Sequence, residues 1–341
     1  MIISASRRTD ICAFYSRWFV NRLRAGHCCV PNPFNRNQVS DVSLKPQDVD
    51  VIVFWTRNAR PMLAYLDELD RYGFRYYFQY TVNGYPRKIE PASPELAAAI
   101  RTFRDVSDRV GPQRVIWRYD PIILSPDTPV EYHRERFETI AAALEGKAER
   151  VVVSIVDDYR SARGRLKTLF GPNLAPYVGD IEEKTLAKLF GGVVEAAKRH
   201  KFKEVVSCAE KVDLSAYGIE HGKCIDDDLI ERVFGIQVGR KKDENQREAC
   251  GCVASKDIGM YDTCLYDCKY CYATHRKVNR DTVRGAHDPS SPSLFGWYEA
   301  KQEALIFDEE GVCELGAAGS SVSRGLRNRR LQASKSTIWQ S

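Results

Sequence analysis

Short apolar runs alternate with longer amphipathic stretches along the first two thirds of the chain. The runs rich in β-branched and aromatic residues, which predict strands, are residues 1–5, 50–55, 75–82, 115–119, 151–155 and 205–207. Continuous apolar runs of this length are typical of strands buried on both faces of a parallel sheet. The sequence therefore predicts a sheet whose two faces are both covered.

Helical patterns separate these runs. Apolar residues recur at helical spacing in residues 60–72, 93–110, 131–144 and 184–200. A strand followed by a helix, repeated, implies right-handed crossovers and a parallel sheet. We predict an α/β fold: a parallel (β/α) barrel of the TIM type, or a partial barrel, over residues 1–300.

The last part of the chain has a different composition. Residues 316–341 are rich in glycine, serine and arginine, and the arginines are Arg324, Arg327, Arg329 and Arg330. This composition is typical of a disordered tail, and a nucleic-acid contact is the alternative. We therefore expect residues 301–341 to be a partly disordered extension.

Composition and charge narrow the class of protein. The chain has 341 residues, 43% hydrophobic and 28% charged, which fits a globular protein with a sizeable core. The net charge of +5 permits an anionic partner without arguing for one. The sequence contains no run of 18 apolar residues, and its first eight residues do not form a secretion leader. We expect a cytoplasmic protein with no membrane partner.

Polar residues follow each predicted strand. They are Ser6 to Asp10, Trp55 to Asn58, Gln79, Thr81 and Asn83, Trp117 to Pro121, Asp157 to Tyr159, and Ser207 to Glu210. Each alone fits a helix cap or a surface ion pair, but active sites of β/α folds lie at the carboxyl ends of the strands. The arginines at these positions can bind carboxylate or phosphate in bidentate fashion; they are Arg7, Arg8, Arg57 and Arg118. A polar mouth suits a zwitterionic cofactor and a polar substrate.

The cysteine pattern carries the most specific chemistry. Seven of the 11 cysteines lie between Cys208 and Cys271, and Cys264, Cys268 and Cys271 have the spacing CxxxCxxC. Thiols of a cytosolic protein favour metal binding or catalysis over disulfides. Three thiolates on one loop can hold three irons of a [4Fe–4S] cluster and leave the fourth iron open. A structural zinc site, or packing on one helix face, is the alternative.

The segment around these cysteines resembles the cluster loop of radical S-adenosylmethionine enzymes. The ending Cys268-Lys-Tyr-Cys-Tyr-Ala273 is similar to that of the spore photoproduct lyase-like branch. The whole chain resembles an uncharacterised bacterial family with this loop near its carboxyl terminus. The resemblance covers roughly residues 1–295 and also rests on SASRRTD (residues 4–10), VFWTRN (53–58) and WRYDP (117–121).

The resemblance implies a set of cofactors and roles. It implies a [4Fe–4S] cluster, S-adenosylmethionine, a 5′-deoxyadenosyl radical, and an electron donor such as a ferredoxin or flavodoxin. In the superfamily the residue before the third cysteine packs beside adenine, and Tyr270 has that position here. Together with the polar residues at the strand ends, the resemblance implies four candidate cofactor contacts, which are Tyr270, Arg7, Arg57 and Asn58.

The same reasoning gives candidate catalytic residues and a permuted order. Arg118 and Asp120 at the mouth, and Cys208 as a thiyl hydrogen donor by analogy with the photoproduct lyase, are the candidates. The superfamily loop usually follows the first strand, whereas here it follows six. A permuted order, with residues 258–261 as a strand beside residues 1–5, reconciles the two.

Four further cysteines are left over: Cys208, Cys224, Cys250 and Cys252. Four thiolates can complete a second iron–sulfur cluster or a structural zinc site. The alternative is that they share no site.

Two functions remain open at this point. The first is a radical enzyme whose substrate is a small anionic metabolite or a nucleic acid. The second is a non-catalytic zinc or iron–sulfur module for nucleic-acid binding or redox sensing. The sequence contains no P-loop, dinucleotide-binding glycine pattern or G-x-S-x-G segment, which removes the best-marked alternatives.

Overall fold

A computed structural model describes residues 1–171, 181–210, 212–276 and 279–300, and two short strands beyond them. The strands up to residue 300 are β1 (Ile2–Ala5), β2 (His27–Pro31), β3 (Val39–Ser43), β4 (Val51–Thr56), β5 (Tyr76–Thr81), β6 (Val115–Ile122), β7 (Arg150–Ile155), β8 (Glu204–Cys208), β9 (Glu220–Gly222) and β10 (Lys256–Asp257). The α-helices are α1 (Ile11–Phe14), α2 (Ser16–Ala25), α3 (Arg60–Leu63), α4 (Leu66–Arg71), α5 (Leu96–Val110), α6 (Val130–Leu144), α7 (Arg160–Phe170), α8 (Glu183–Arg199), α9 (Asp227–Phe234) and α10 (Arg280–Ala286).

Eight strands form one parallel sheet in the order β10-β1-β4-β5-β6-β7-β8-β9. The predicted parallel α/β class is confirmed, and each of the six predicted strands overlaps an observed one. The sheet is open, because no described pair joins β9 to β10 at its two edges. A closed barrel is therefore not confirmed.

The edge strand β10 lies beside β1, with Lys256 opposite Ile3 and Asp257 opposite Ser4. We predicted a strand at residues 258–261 in this place. The observed strand lies just before that range, and of the predicted residues only Ile258 continues the ladder, since its amide donates to the Ser4 carbonyl. The segment that leads into the cysteines near the carboxyl end thus lies next to the first strand.

Alternate residues of the sheet strands enter two separate cores. Phe54, Phe78 and Trp117 belong to the larger core, which also contains apolar residues of α6 and α8. Val53 and Tyr77 belong to a second core that includes Cys224, Cys250 and Cys252 together with residues of α9. The period of two along each strand therefore gives one face to the helices and the other to the segment after β9.

Some elements differ from the sequence prediction. The predicted helix at residues 60–72 consists of two short helices, α3 and α4, and Pro61 lies in the first turn of α3, where it is tolerated. The β2–β3 hairpin, α7 and α9 were not predicted. Within the described residues, no helix has the length and apolar character needed to cross a bilayer.

The chain divides into two compact units, Met1–Ala300 and Lys301–Ser341. In the second unit, strands Ile306–Phe307 and Cys313–Glu314 pair antiparallel. The predicted tail with its four arginines, residues 316–341, lies outside the described residues.

Candidate functional site

A cavity of about 380 Å³ lies at the carboxyl ends of the sheet strands. Its lining includes five cysteines, namely Cys208, Cys224, Cys250, Cys252 and Cys271. Its charged and aromatic lining includes Arg7, Arg8, Arg118, Asp120, Asp257, Trp55, Tyr270 and Tyr272. The volume is within the range of small-molecule sites, which is about 300–1,000 Å³. Residues that the sequence indicated at the ends of the first, second, fourth, fifth and sixth predicted strands therefore meet at one cavity.

Asp257 on β10 joins the first strand to the segment that carries the cysteines. Its carboxylate accepts hydrogen bonds from Ser4 Oγ at 2.8 Å, Ser6 Oγ at 2.7 Å and the Arg7 amide at 2.8 Å. Gly259 follows at a close approach, since a Cβ there would lie 2.0 Å from Ser6 Oγ. The path of the chain toward the cysteines is thus fixed against the carboxyl end of β1.

We define the cysteine loop as residues 264–271. The thiol of Cys268 is buried, and those of Cys264 and Cys271 are partly buried. Burial raises the pKa of Cys264 well above its ordinary value and raises the pKa of Cys268 to about 12. These two thiols are therefore neutral near pH 7 unless a metal replaces their protons.

Arg165 on α7 holds the cysteine loop by its backbone. Its guanidinium donates to the carbonyl oxygens of Lys269 at 3.1 Å, Thr274 at 2.8 Å and Cys271 at 2.5 Å. On the other side, the Lys269 amide donates to the Ile89 carbonyl at 3.0 Å. The loop is thereby attached both to α7 and to the connection after β5.

Tyr270 belongs to a buried polar group inside this loop. Its hydroxyl donates to the Glu90 carboxylate and accepts from Arg57, and Arg57 Nη1 lies 2.8 Å from Glu90 Oε1. Asp10 accepts the Arg57 amide at 2.7 Å, and burial raises the pKa of Asp10 to about 6. Arg57 is therefore paired with Glu90 and orients Tyr270, whose ring lines the cavity.

We define the four-thiol set as Cys208, Cys224, Cys250 and Cys252. These residues come from the end of β8, the segment after β9 and the connection before β10. Cys208 Sγ lies 2.8 Å from Cys224 Sγ. Cys252 accepts hydrogen bonds from the thiols of Cys224 and Cys250. The structure thus brings together the four cysteines that the sequence left as a possible shared site.

The environment of this set favours thiolates at Cys252 and Cys208, whereas hydrogen bonds with neighbouring thiols, together with burial, raise the pKa of Cys224 and Cys250 well above the ordinary cysteine value. Cys252 Sγ accepts the backbone amides of Cys224 at 3.3 Å and Ile225 at 3.4 Å. Hydrogen bonds from Cys224 and Cys250, together with the charge of Arg7, hold the pKa of Cys252 well below its ordinary value. The hydrogen bond with Cys224 and the charge of Arg118 lower the pKa of Cys208 to about 7.

Two arginines lie against the four-thiol set, and both are close to the same indole ring. Arg118 donates to Cys224 Sγ at 2.7 Å and forms a buried ion pair with Asp120. The guanidinium carbons of Arg7 and Arg118 lie 5.2 and 5.1 Å from the centroid of Trp55. Arg7 Nη2 is buried and has no hydrogen-bond partner among the described residues. On this wall of the cavity, Arg118 is therefore neutralised by Asp120, while one nitrogen of the Arg7 guanidinium remains unpartnered.

Cys224 is held over the sheet by its carbonyl. Tyr77 Oη and Gln79 Nε2 on β5 both donate to that oxygen at 2.7 Å. Gln79 also accepts from Arg118 Nη1 at 3.1 Å. The positions of Cys224 and Arg118 are thus set by the same strand.

A model of a protein family matches residues 2–273. The chain belongs to the DUF1848 family, a domain of unknown function. The DUF1848 match covers nearly the whole first unit and includes all the cysteines of both sets, since it extends two residues beyond Cys271.

Other comparisons add little to the family assignment. No curated protein matches the chain. A solved structure from Bacteroides thetaiotaomicron VPI-5482, provisionally assigned as an alpha-L-fucosidase, is similar over 71% of this chain and 86% of its own, with 8% identity and a TM-score of 0.26. At that TM-score the similarity carries no inference about fold or function.

Not every predicted site residue of this DUF1848 chain reaches the cavity. The lining does not include Arg57, Asn58, Cys264 or Cys268. Arg57 pairs with Glu90, and Asn58 Oδ1 accepts the Arg60 amide at 3.1 Å at the start of α3, so both have local structural roles. Glu90, Arg165 and Asp257 were missed. Glu90 and Arg165 carry no motif, because each acts through a contact made by the chain more than 100 residues away. Asp257 stands directly before the expected strand and could have been noticed there.

Proposed function

We propose that this protein is a radical S-adenosylmethionine enzyme whose [4Fe–4S] cluster is held by Cys264, Cys268 and Cys271. The observation that supports this proposal best is the position of the cysteine loop. Cys271 and Tyr270 line the same cavity as Arg7, Arg8 and Arg118, at the edge of a parallel sheet where β/α enzymes carry their sites.

The spacing of the three thiols supports a cluster over a single metal ion. A tetrahedral zinc ion with Zn–S bonds near 2.3 Å holds its sulfur ligands about 3.8 Å apart. Among the described residues, trios with ligand atoms within 4.8 Å of one another are formed by His27, Cys29 and Asp41 and by Asp226, Asp227 and Asp228. The loop cysteines form no such trio, which fits a ligand set spread over a polynuclear cluster.

The strand order supports the permuted form of the fold. β10 precedes the cysteine loop and lies beside β1. In a permuted partial barrel, the strand that precedes the loop would have to lie in this position. The proposal therefore includes a partial (β/α) barrel with the cluster-bearing strand last in sequence. Asp257, which binds Ser4 and Ser6, would fix that junction.

The residues around the cavity have distinct parts in the proposal. When bound and reduced, the cluster would supply the electron that cleaves S-adenosylmethionine to a 5′-deoxyadenosyl radical. Tyr270 would offer its ring to the adenine, oriented by Glu90 and Arg57. Arg7, with its unpartnered Nη2, would bind a carboxylate or phosphate of the cofactor or substrate. The cavity volume of about 380 Å³ and the unpartnered Arg7 Nη2 favour a small anionic metabolite over a nucleic acid as the substrate.

The test is S-adenosylmethionine cleavage by full-length protein purified and reconstituted without oxygen. With dithionite as the electron source, we expect 5′-deoxyadenosine from the wild type and none from Cys268→Ala. Cys12→Ala, a buried cysteine distant in sequence from both sets, is the matched control and should retain the activity. Bound metal without the nucleoside would reject the enzyme proposal in favour of a non-catalytic metal-binding module. A ferredoxin or flavodoxin should replace dithionite in the active protein.

A further inference from the structure

The four-thiol set is a second group of metal ligands, separate in sequence from the cysteine loop. Its four sulfurs form a chain of contacts from Cys208 through Cys224 and Cys252 to Cys250. Three of the four residues are buried, and they come from three segments of the fold. Uncoordinated thiols rarely gather in this way, whereas thiolate-bound metal centres require it.

The groups around the set suit thiolates bound to a metal. Backbone amides of Cys224 and Ile225 point at Cys252 Sγ, and Arg118 Nη1 points at Cys224 Sγ. Hydrogen bonds to the sulfurs of an iron–sulfur cluster tune its potential. Arg7 adds a second positive charge near Cys252. These donors would stabilise the net negative charge of a cluster with four thiolate ligands.

The dimensions of the set distinguish a cluster from a single ion. No three of its sulfurs lie within 4.8 Å of one another among the described residues, although Cys208 and Cys224 are adjacent. A tetrahedral zinc ion would need all four sulfurs about 3.8 Å apart. The sulfur ligands of one cube bind different irons and lie farther apart than those of one zinc ion, so Cys208 and Cys224 would move apart when a cluster binds.

We propose that Cys208, Cys224, Cys250 and Cys252 hold a second [4Fe–4S] cluster that transfers single electrons at the cavity wall. Four protein thiolates satisfy all four irons, so this cluster has no open site for S-adenosylmethionine or substrate. It accepts one electron from a low-potential donor and passes it on without making or breaking a bond. This inference does not require the proposed cleavage of S-adenosylmethionine, since it concerns different cysteines.

The test compares iron and sulfide contents of full-length proteins prepared without oxygen. The wild type should contain about eight irons per chain, and the triple variant Cys264→Ala, Cys268→Ala, Cys271→Ala about four. The dithionite-reduced triple variant should give the electron paramagnetic resonance signal of a four-iron cluster. The double variant Cys224→Ala, Cys252→Ala should also lose half of the iron, and Cys12→Ala none.

Three outcomes would overturn the inference. The first is a triple variant that is folded, as judged by circular dichroism, but contains no iron. The second is a triple variant that contains about one zinc ion and no sulfide. The third is a triple variant in which Cys208 and Cys224 form a disulfide and no metal is bound. If the triple variant does not fold, a double variant with undiminished iron overturns it equally. Failure of the proposed function has a different signature, which is full iron content without 5′-deoxyadenosine.

Discussion

Arg118 Nη1 lies 2.7 Å from Cys224 Sγ, while the same guanidinium forms an ion pair with Asp120. The exposed fractions of the Arg118 and Asp120 side chains are only 7% and 12%. Both the mouth of the sheet and the four-thiol set therefore depend on one buried cation. Its removal would leave a buried carboxylate without a partner.

We expect Arg118→Met to lower the free energy of unfolding by about 3–5 kcal/mol, the usual cost of removing one partner of a buried ion pair. The double variant Arg118→Met, Asp120→Asn should recover part of that loss, because it leaves no unpaired charge. Urea denaturation of the three proteins measures the effect. A double variant no more stable than the single one would show that the ion pair is not the source of the loss.

Arg165 donates three hydrogen bonds to carbonyl oxygens in and just after the cysteine loop. We expect Arg165→Ala to accelerate amide hydrogen exchange in the loop and to reduce the iron retained by its three cysteines. Arg163→Ala is the matched control on the same helix, since Arg163 pairs with Asp158 at the surface. Equal exchange rates in both variants would contradict the role given to Arg165.

The sequence predicted the strands better than the contacts between them. Apolar runs such as residues 51–56 identify a buried strand, because burial on both faces requires nearly every residue to be apolar. The CxxxCxxC spacing likewise marks its own site, since ligands on one short loop are necessarily close. Glu90 and Arg165 could not be found in this way, because they reach the loop only after the chain has folded.

The four-thiol set lies between these two cases. Cys250 and Cys252 are neighbours in sequence, but Cys208 and Cys224 join them only through the β8–β9 pairing and the contacts of Cys224 with β5. Composition therefore indicated the ligands and left their association open. The sequence also could not predict that β9 and β10 remain unpaired edge strands, because the number of strands alone does not determine whether a sheet closes into a barrel.

Gly259 permits the close approach of the segment after β10 to Ser6. An added Cβ would lie 2.0 Å from Ser6 Oγ and 2.6 Å from its Cβ, so the backbone would have to move. We expect Gly259→Ala to destabilise the protein by about 1–3 kcal/mol, the typical cost of overpacking. Thermal or urea unfolding measures this, and Gly239→Ala, with no atom within 4 Å, is the control. Similar stabilities of the two variants would contradict the proposed close packing.

The buried His133 on α6 should make the free energy of unfolding depend on pH. Its Nδ1 lies 2.9 Å from Tyr119 Oη and its Nε2 2.9 Å from the Ile123 carbonyl, and burial lowers its pKa to about 4. The rings that face it belong to Tyr85, Tyr119 and Tyr132, which remain neutral in this range. The folded state therefore binds fewer protons than the unfolded state between about pH 4 and pH 6.5.

This contribution to stability is present above the ordinary histidine pKa and is lost as the pH falls toward 4. We expect the difference in unfolding free energy between the wild type and His133→Gln to shrink by about 3 kcal/mol from pH 7 to pH 4. Using the difference cancels the opposite contribution of Asp10, whose raised pKa favours folding on acidification. For His200→Gln, the corresponding difference in unfolding free energy should instead grow as the pH falls, because Glu138 raises the pKa of His200. A pH-independent difference for His133→Gln would mean that the pKa of this imidazole is the same in the folded and unfolded states.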